Sequence, residues 1–186
     1  MQVDAIKKLF TVDDYHRMGD AGIIGIEERT ELIEGEVITM SPIGDRHAIA
    51  VNIATDRFTN AFRGQAIVSV QNPLRLSLYT EPQPDLVLLR YRSDFYKGRK
   101  WRPEDALLVL EVSETTLRFD RKVKLPLYAA AGVTELWIEN LEAEELLVFR
   151  NPTGRAYSTA LSFHRDDFVS VEAFPDQKFK VDDLLP

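Results

Sequence analysis

The sequence predicts a mixed α/β fold in which a central sheet is flanked by helices and extended by hairpins at both ends of the chain. Two short runs, Leu86–Leu89 and Ala106–Leu110, are apolar without alternation, as is typical of strands covered on both faces. A helical apolar stripe precedes them between residues 47 and 63, and a second helical pattern follows them. The chain of 186 residues, 45% of them hydrophobic, fits a single domain spanning residues 1–186.

The amino-terminal elements are predicted to be a short helix and a hairpin. Thr11 and Asp14 have the spacing of a capping box at a helix start. Residues 29–33 and 36–40 then flank a glycine, Gly35, which provides the positive φ that a tight turn requires. We therefore expect a hairpin ahead of the helix at residues 47–63.

The remaining pattern alternates strands with one helix. Residues 67–78 alternate between apolar and polar, which predicts a half-exposed strand before the two apolar strands. Residues 120–131 predict a helix that ends at Gly132 and contains Pro126. A strand at residues 134–139 and a hairpin at residues 145–163 follow.

Composition narrows the classes of function. There is no cysteine, which excludes disulfides and thiolate zinc sites, and three scattered histidines make a poor metal cluster. The net charge of −7 argues against a protein that coats nucleic acid indiscriminately, although a local basic groove is compatible with it. No signal peptide and no run of about 18 apolar residues is present, so we expect a cytoplasmic protein without a membrane partner.

Two acids and an amine stand at the ends of the predicted strands. Asp85 precedes the first apolar strand, Glu111 closes the second, and Lys124 follows thirteen residues later. If these strands are antiparallel neighbours, the two carboxylates meet at one edge of the sheet. Carboxylates there could hold Mg²⁺ or Mn²⁺ together with the carbonyl of Val112, and Lys124 could orient a water or stabilise negative charge. These are the components of a metal-dependent phosphodiesterase.

Simpler interpretations stand beside this one. An aspartate after Pro84 is often a turn residue. Glu111 and Lys124 could form a buried ion pair without metal, because an ion pair and a bound metal ion each offset the cost of burying a charge. Lys124 could equally be a solvated helix residue.

In combination these motifs resemble the Uma-type putative restriction endonuclease family of the PD-(D/E)XK nuclease superfamily. The matching segments, which run from about Thr11 to the carboxyl end, are Glu31–Glu36, His47, Pro84–Asp85, Glu111–Ser113, Asp120, Lys124, Tyr128 and Gly132–Ile138. The resemblance implies a restriction-endonuclease-like core and divalent-metal-dependent cleavage of nucleic acid, DNA being the expected substrate. It assigns the metal-binding acids to Asp85 and Glu111.

One position departs from the motif. The lysine expected two residues after the second acid is Ser113 here, and the resemblance implies that Lys124 replaces it from the following helix. Asp120 and Tyr128 share its helical face by spacing. Asp120 could instead be that helix's N-cap.

Further candidate residues accompany the two acids and Lys124. Glu31 could lie near the site or be an exposed hairpin acid, and His47 could reach the cleft or be a capping residue. Residues 90–102 carry six basic residues against one acid, with aromatic residues between them, as suits a loop that grips phosphates. The predicted nucleic-acid-binding residues there are Arg92, Lys97, Arg99, Lys100 and Arg102. A solvated loop is the alternative.

Two functions therefore compete. The first is a metal-dependent endonuclease; the second is a catalytically inactive nuclease-like binding or assembly module, suggested by Ser113 and by the acidic net charge. A serine acyl hydrolase is set aside, since there is no Gly-x-Ser-x-Gly motif. The terminal hairpin and the strand around Trp137 suggest a homodimer, which would let a nuclease cut both strands of a symmetric duplex.

Overall fold

The computed structural model describes residues 7–186. The chain begins with helix α1 (Val12–Asp20), a hairpin of strands β1 (Thr30–Ile33) and β2 (Glu36–Thr39), and helix α2 (Asp45–Ala61). The capping box is confirmed: the Asp14 amide donates to Thr11 Oγ1 over 3.1 Å, and the Thr11 amide donates to Asp14 Oδ2 over 3.0 Å. Gly35 turns the hairpin with φ 83°, and a Cβ there would lie 2.6 Å from the Cβ of Leu9.

Among the described residues, six strands form the central sheet, and their spatial order follows the chain. They are β3 (Ala66–Val70), β4 (Leu86–Arg90), β5 (Ala106–Ser113), β6 (Glu135–Asn140), β7 (Glu145–Thr153) and β8 (Ala156–Phe163). All neighbours are antiparallel except β5 and β6, which are parallel and joined by a helical crossover. The mixed sheet and its flanking helices agree with the predicted fold class.

The two faces of the sheet are covered by different helices. On one face, α2 packs Ala54 and Phe58 into a cluster that includes Trp137. On the other face, Tyr128 packs with residues such as Val109 from β5. Because every residue of β5 is buried, the prediction of strands covered on both faces is confirmed for this strand.

The crossover helix between β5 and β6 is not a regular α-helix. It consists of α3 (Leu117–Phe119), a π-helical turn (Asp120–Lys124) and α4 (Leu125–Ala130). In the π turn the Leu125 amide donates to the Asp120 carbonyl, five residues back. Pro126 is tolerated because it lies in the first turn of α4. Gly132 follows the helix with φ 79°, as predicted.

The predicted strand at residues 67–78 is wrong in its second half. Strand β3 ends at Val70, and Gln71 adopts a positive φ of 48° ahead of Pro73. The chain then forms a local loop, in which the Leu76 amide donates to the Thr80 carbonyl over 2.9 Å. The alternation of leucines reflects one buried and two more exposed positions in this loop, not a pleated strand.

The carboxyl-terminal part has strands β9 (Phe168–Ser170) and β10 (Lys178–Lys180) and a 3₁₀ turn at Val181–Asp183; another 3₁₀ turn, Pro103–Asp105, leads into β5. Within residues 7–186, no helix combines the length and the apolar character needed to cross a membrane.

Candidate active site at the edge of the central sheet

Asp85 and Glu111 meet at one edge of the sheet because their strands are antiparallel. Leu86, at the start of β4, pairs with Leu110 near the end of β5. This register places the residue before β4 beside the last part of β5, and the Val112 amide donates to Asp85 Oδ2 over 2.9 Å. Both acids are buried, with 6% of Asp85 and 3% of Glu111 exposed.

Asp85 is held as a carboxylate by three donors. His47, in the first turn of α2, places Nε2 2.8 Å from Asp85 Oδ1, and the Gln71 side chain donates to the same oxygen over 3.3 Å. Burial alone would raise the pKa of Asp85, but the hydrogen bond and charge of His47 and the Val112 amide hold that pKa below its usual value. Asp85 is therefore more than a turn residue, because groups from three other segments contact its carboxylate.

Lys124 lies buried between two carboxylates. Its Nζ donates to Glu31 Oε1 over 3.0 Å and lies 3.2 and 3.3 Å from the two oxygens of Glu111. Burial lowers the pKa of an amine, but the charges of Glu111 and Glu31 raise the pKa of Lys124 above its usual value, so it stays protonated. The alternative prediction, that Lys124 is a solvated helix residue, is wrong, because Lys124 is buried.

Glu111 receives a second donor from the same helix. Tyr128 Oη donates to Glu111 Oε1 over 2.6 Å. Burial raises the pKa of Glu111 well above its usual value against the opposing effect of Lys124, with neighbouring acids adding to the rise. Burial and the Glu111 charge raise the pKa of Tyr128, which keeps the phenol protonated as a donor.

Asp120 belongs to a separate hydrogen-bonded group beside these residues. Its Oδ2 accepts from Ser113 Oγ over 2.6 Å and from Thr116 Oγ1 over 2.7 Å. The N-cap interpretation of Asp120 is wrong, because the helix already begins at Leu117. Ser113, at the position of the motif lysine, thus links the end of β5 to the crossover helix.

Glu31 comes from β1 in the amino-terminal hairpin, outside the central sheet. Its Oε1 accepts from Lys124 and, over 2.9 Å, from the Gln83 amide. Its Oε2 is buried and has no hydrogen-bond partner within residues 7–186. The interpretation of Glu31 as an exposed hairpin acid is therefore wrong, since only 3% of it is exposed.

These side chains surround a cavity of about 70 Å³. The acids that line it are Glu31, Asp85, Glu111, Glu114 and Asp120; the basic residues are Arg29, His47 and Lys124; Val112 lines it as well. The excess of carboxylates and the unpartnered Glu31 oxygen suit a hard divalent cation. Within the described residues no three histidine, aspartate or glutamate side chains are arranged to hold an ion, so such a cation would keep several water ligands, as Mg²⁺ does.

Comparison with known proteins identifies the family of the chain and a solved structure of similar fold. The model of the Uma2 family, described as "Putative restriction endonuclease", matches residues 12–182. The chain belongs to the Uma2 family. A search of curated proteins found no match. Among solved structures, a putative nuclease belonging to DUF820 from Anabaena variabilis has a TM-score of 0.73 at 14% identity, with 94% of this chain and 97% of that chain covered. This similarity shows a shared fold.

The basic loop of this Uma2 protein lies away from the cavity. It connects the ends of β4 and β5 that are opposite to Asp85 and Glu111. Arg92 is paired with Asp94 over 2.6 Å and Arg99 with Asp105 over 2.7 Å, and both guanidinium groups stack on Tyr96. Much of the charge that the sequence suggested for phosphates therefore stabilises the loop itself.

The other predicted phosphate-binding residues divide into two groups. Arg102 lies 3.9 Å from Glu104, and Lys97 is exposed. Lys100 lines a large groove that shares Arg29 and Gln83 with the cavity. Of the loop residues, Lys100 is thus the one placed along a path to the site.

Sequence reasoning missed several residues of the site. Gln71 and Gln83 were not recognised because amides carry no charge signal, although Gln83 directly precedes Pro84–Asp85. Arg29 was treated only as part of the hairpin. Glu139 is a further buried acid, 1% exposed, and it pairs in register with Val112. An acid that follows an apolar run is the same signal that identified Glu111, and Glu139 follows the run Leu136–Ile138.

Proposed function

We propose that this protein is a Mg²⁺- or Mn²⁺-dependent endonuclease that hydrolyses phosphodiester bonds of DNA. The observation that carries the proposal is the convergence of Asp85 and Glu111 on one cavity, with Lys124 held beside Glu111. The Uma2 family description supports the nuclease class.

The metal ion would be held by Asp85, Glu111 and the carbonyl of Val112. A divalent ion bound there supplies Lewis acidity, which activates water and neutralises charge on the phosphate. The protein's contribution is to keep the ligands oriented in a site of restricted volume. His47 and Gln71 fix the Asp85 carboxylate, and Tyr128 fixes Glu111.

Lys124 acts as a donor and positive charge in this proposal. Because the charges of Glu111 and Glu31 keep it protonated, it is unsuited to be a general base. It can orient a water molecule through its N–H groups and stabilise negative charge that develops on the phosphate oxygens.

Cleavage of plasmid DNA tests the function. We expect the wild-type protein to cut DNA with Mg²⁺ and not with EDTA, and we expect Asp85→Asn and Glu111→Gln to reduce cleavage by at least about 100-fold. Glu142→Gln is the control, because Glu142 is an exposed acid that does not line the cavity. A folded wild-type protein that cuts neither DNA nor RNA with either metal ion rules the proposal out.

A non-catalytic binding module is the second candidate. It is favoured by the ion pairs of Lys124, which already neutralise Glu31 and Glu111 without a metal. Titration of Mg²⁺ or Mn²⁺ by calorimetry separates the two functions. A nuclease binds the ion with loss of binding in Glu111→Gln, whereas a module of this kind binds none.

We also propose that two copies associate through the carboxyl-terminal hairpin. Strand β8 is an edge strand of the sheet and exposes 43% of Leu161. Trp137, which the sequence also suggested for an interface, lies in the core. Light scattering after size exclusion should give a dimer mass that Leu161→Lys reduces to a monomer mass.

A further inference from the structure

Arg29 lines the cavity, and its charge is not paired with an acid in the described part of the chain. One of its N–H groups donates from Nη1 to the Ser41 carbonyl over 2.9 Å, and within residues 7–186 it forms no ion pair. Lys124, the other permanent cation of the cavity, is bound to two carboxylates. We propose that Arg29 binds a phosphate of the substrate strand where that strand enters the cavity. This inference rests on the proposed nuclease function.

The position of Arg29 supports this role. Arg29 and Gln83 line both the cavity and an adjoining groove of about 1100 Å³. The groove is lined by α1, by the loop that follows α1 and by the start of the hairpin, so it offers a ligand a surface path to the cavity. Arg29 therefore stands where a nucleic-acid strand would pass from the groove to the acids.

A further cation suits the chemistry of the site. Five carboxyl groups line the cavity, and a phosphodiester that approaches them is repelled unless positive charge lies nearby. A guanidinium group offers several N–H donors in a planar fork that matches two phosphate oxygens. With one donor used by a backbone carbonyl, Arg29 keeps the others for a ligand.

The backbone of Arg29 is well fixed for this purpose. Its carbonyl accepts from the Met40 amide over 2.8 Å, which closes the open end of the β1–β2 hairpin. The same hairpin carries Glu31, whose side chain contacts Lys124. Arg29 is therefore held in fixed relation to the other residues of the site.

The rest of the groove is mixed in charge. Lys100 lines it, and His16 is bound to Glu81. Asp20 and Glu28 also line it, but both are exposed, and water and salt screen their repulsion. Arg29 is thus the groove cation that also faces the cavity.

Binding measured without catalysis tests the role of Arg29. The parent is Glu111→Gln, and the probes are fluorescent 20-nucleotide DNA, single-stranded and duplex, in EDTA at several salt concentrations. We expect Arg29→Gln to weaken binding about tenfold to a hundredfold and to lower the salt slope by about one. The affinity of Arg29→Lys should lie between those of the parent and of Arg29→Gln, because lysine keeps the positive charge but lacks the planar fork of donors.

Arg90→Gln is the matched control. Arg90 also lacks an ion pair within the described residues and also donates to a backbone carbonyl, that of Glu104 over 3.2 Å, but it lies at the opposite end of β4. Its replacement should leave affinity and salt slope unchanged. Equal effects of the two substitutions, or unchanged affinity in a folded Arg29→Gln protein, would overturn the inference. If Arg29→Gln fails to fold, the same comparison with Arg29→Lys decides.

The failure of this inference is distinguishable from failure of the proposed function. Wild-type protein that binds DNA through Arg29 without cleaving it contradicts the nuclease function and supports the phosphate contact. Cleavage that is unaffected by Arg29→Gln, in both kcat and KM, supports the nuclease and contradicts the contact. A protein that neither binds nor cleaves contradicts both.

Discussion

Lys124 Nζ lies 3.0 Å from Glu31 Oε1, although the two residues are 93 positions apart in the sequence. The contact joins the crossover helix to a hairpin that is not part of the central sheet. Because Lys124 also contacts Glu111, three distant segments share one buried group of charges. The hairpin is therefore a component of the candidate site.

Removing the central cation should destabilise the protein strongly. In Lys124→Met, Glu31 and Glu111 are buried without their counter-ion, which we expect to cost about 3–5 kcal/mol of unfolding free energy. Urea denaturation measures the loss. Lys122→Met, exposed on the same helix, should change stability by less than about 0.5 kcal/mol. Similar losses in both variants would contradict a buried charge cluster.

Tyr128→Phe should affect both stability and metal binding. It removes the donor to Glu111 Oε1, and we expect a cost of about 1.5–3 kcal/mol, together with weaker Mg²⁺ binding in calorimetry. Tyr157→Phe is the control, since its hydroxyl donates to the Val133 carbonyl over 2.8 Å and Tyr157 does not line the cavity. It should destabilise without changing Mg²⁺ affinity. Unaltered Mg²⁺ binding in Tyr128→Phe would show that Glu111 needs no orientation.

The His47–Asp85 contact should be visible in the pH dependence of stability. The pKa of Asp85 is below its usual value, so this carboxyl stabilises the fold above the pKa of an unfolded aspartate and loses that contribution as the pH falls through the folded pKa. His47→Gln should therefore be less stable than wild type near pH 6. The difference should shrink towards pH 2, as measured by chemical denaturation across the range. A difference that does not vary with pH would contradict this linkage.

Glu139 should show the opposite dependence. Burial, with a contribution from the charge of Asp85, raises its pKa well above the usual value, and its Oε2 has no hydrogen-bond partner within residues 7–186. Between the pKa of an unfolded glutamate and the folded pKa of Glu139, the folded protein keeps a proton that the unfolded chain releases. Glu139 therefore lowers the free energy of unfolding as the pH rises through this range. Glu139→Gln should gain on the order of 1–3 kcal/mol relative to wild type at pH 8 and little at pH 4, as measured by thermal unfolding. A gain of equal size at both pH values would argue against the raised pKa.

Local sequence patterns predicted most elements of the fold, but they did not predict the contacts between residues that are distant in the sequence. The stripe of α2 and the apolar strands β4 and β5 followed from periodicity, because burial dictates which positions are apolar. The alternating leucines of residues 74–78 predicted a strand that does not form. The alternation gave no sign that the chain leaves the sheet at Gln71 and Pro73.

The candidate site divides in the same way. The meeting of Asp85 and Glu111 needed only antiparallel neighbours, which two adjacent apolar strands favour. The partners of these acids could not be deduced from spacing, because Glu31 and His47 come from elements that dock on the sheet from elsewhere. Arg29 was overlooked because its importance lies in having no ion pair within residues 7–186, which no sequence pattern encodes.

The number of residues in the π turn at Asp120–Lys124 sets the rotation of the helix after the turn relative to the helix before it. The turn's hydrogen bond from Leu125 to Asp120 spans five residues where an α-helical bond spans four, so the turn holds one residue more than an α-helix would. The first residue of the turn, Asp120, is anchored to Ser113, and the helix after the turn presents Tyr128 to Glu111. Shortening this turn by one residue would rotate one half by about 100° against the other and separate the two anchors, even with every functional side chain retained.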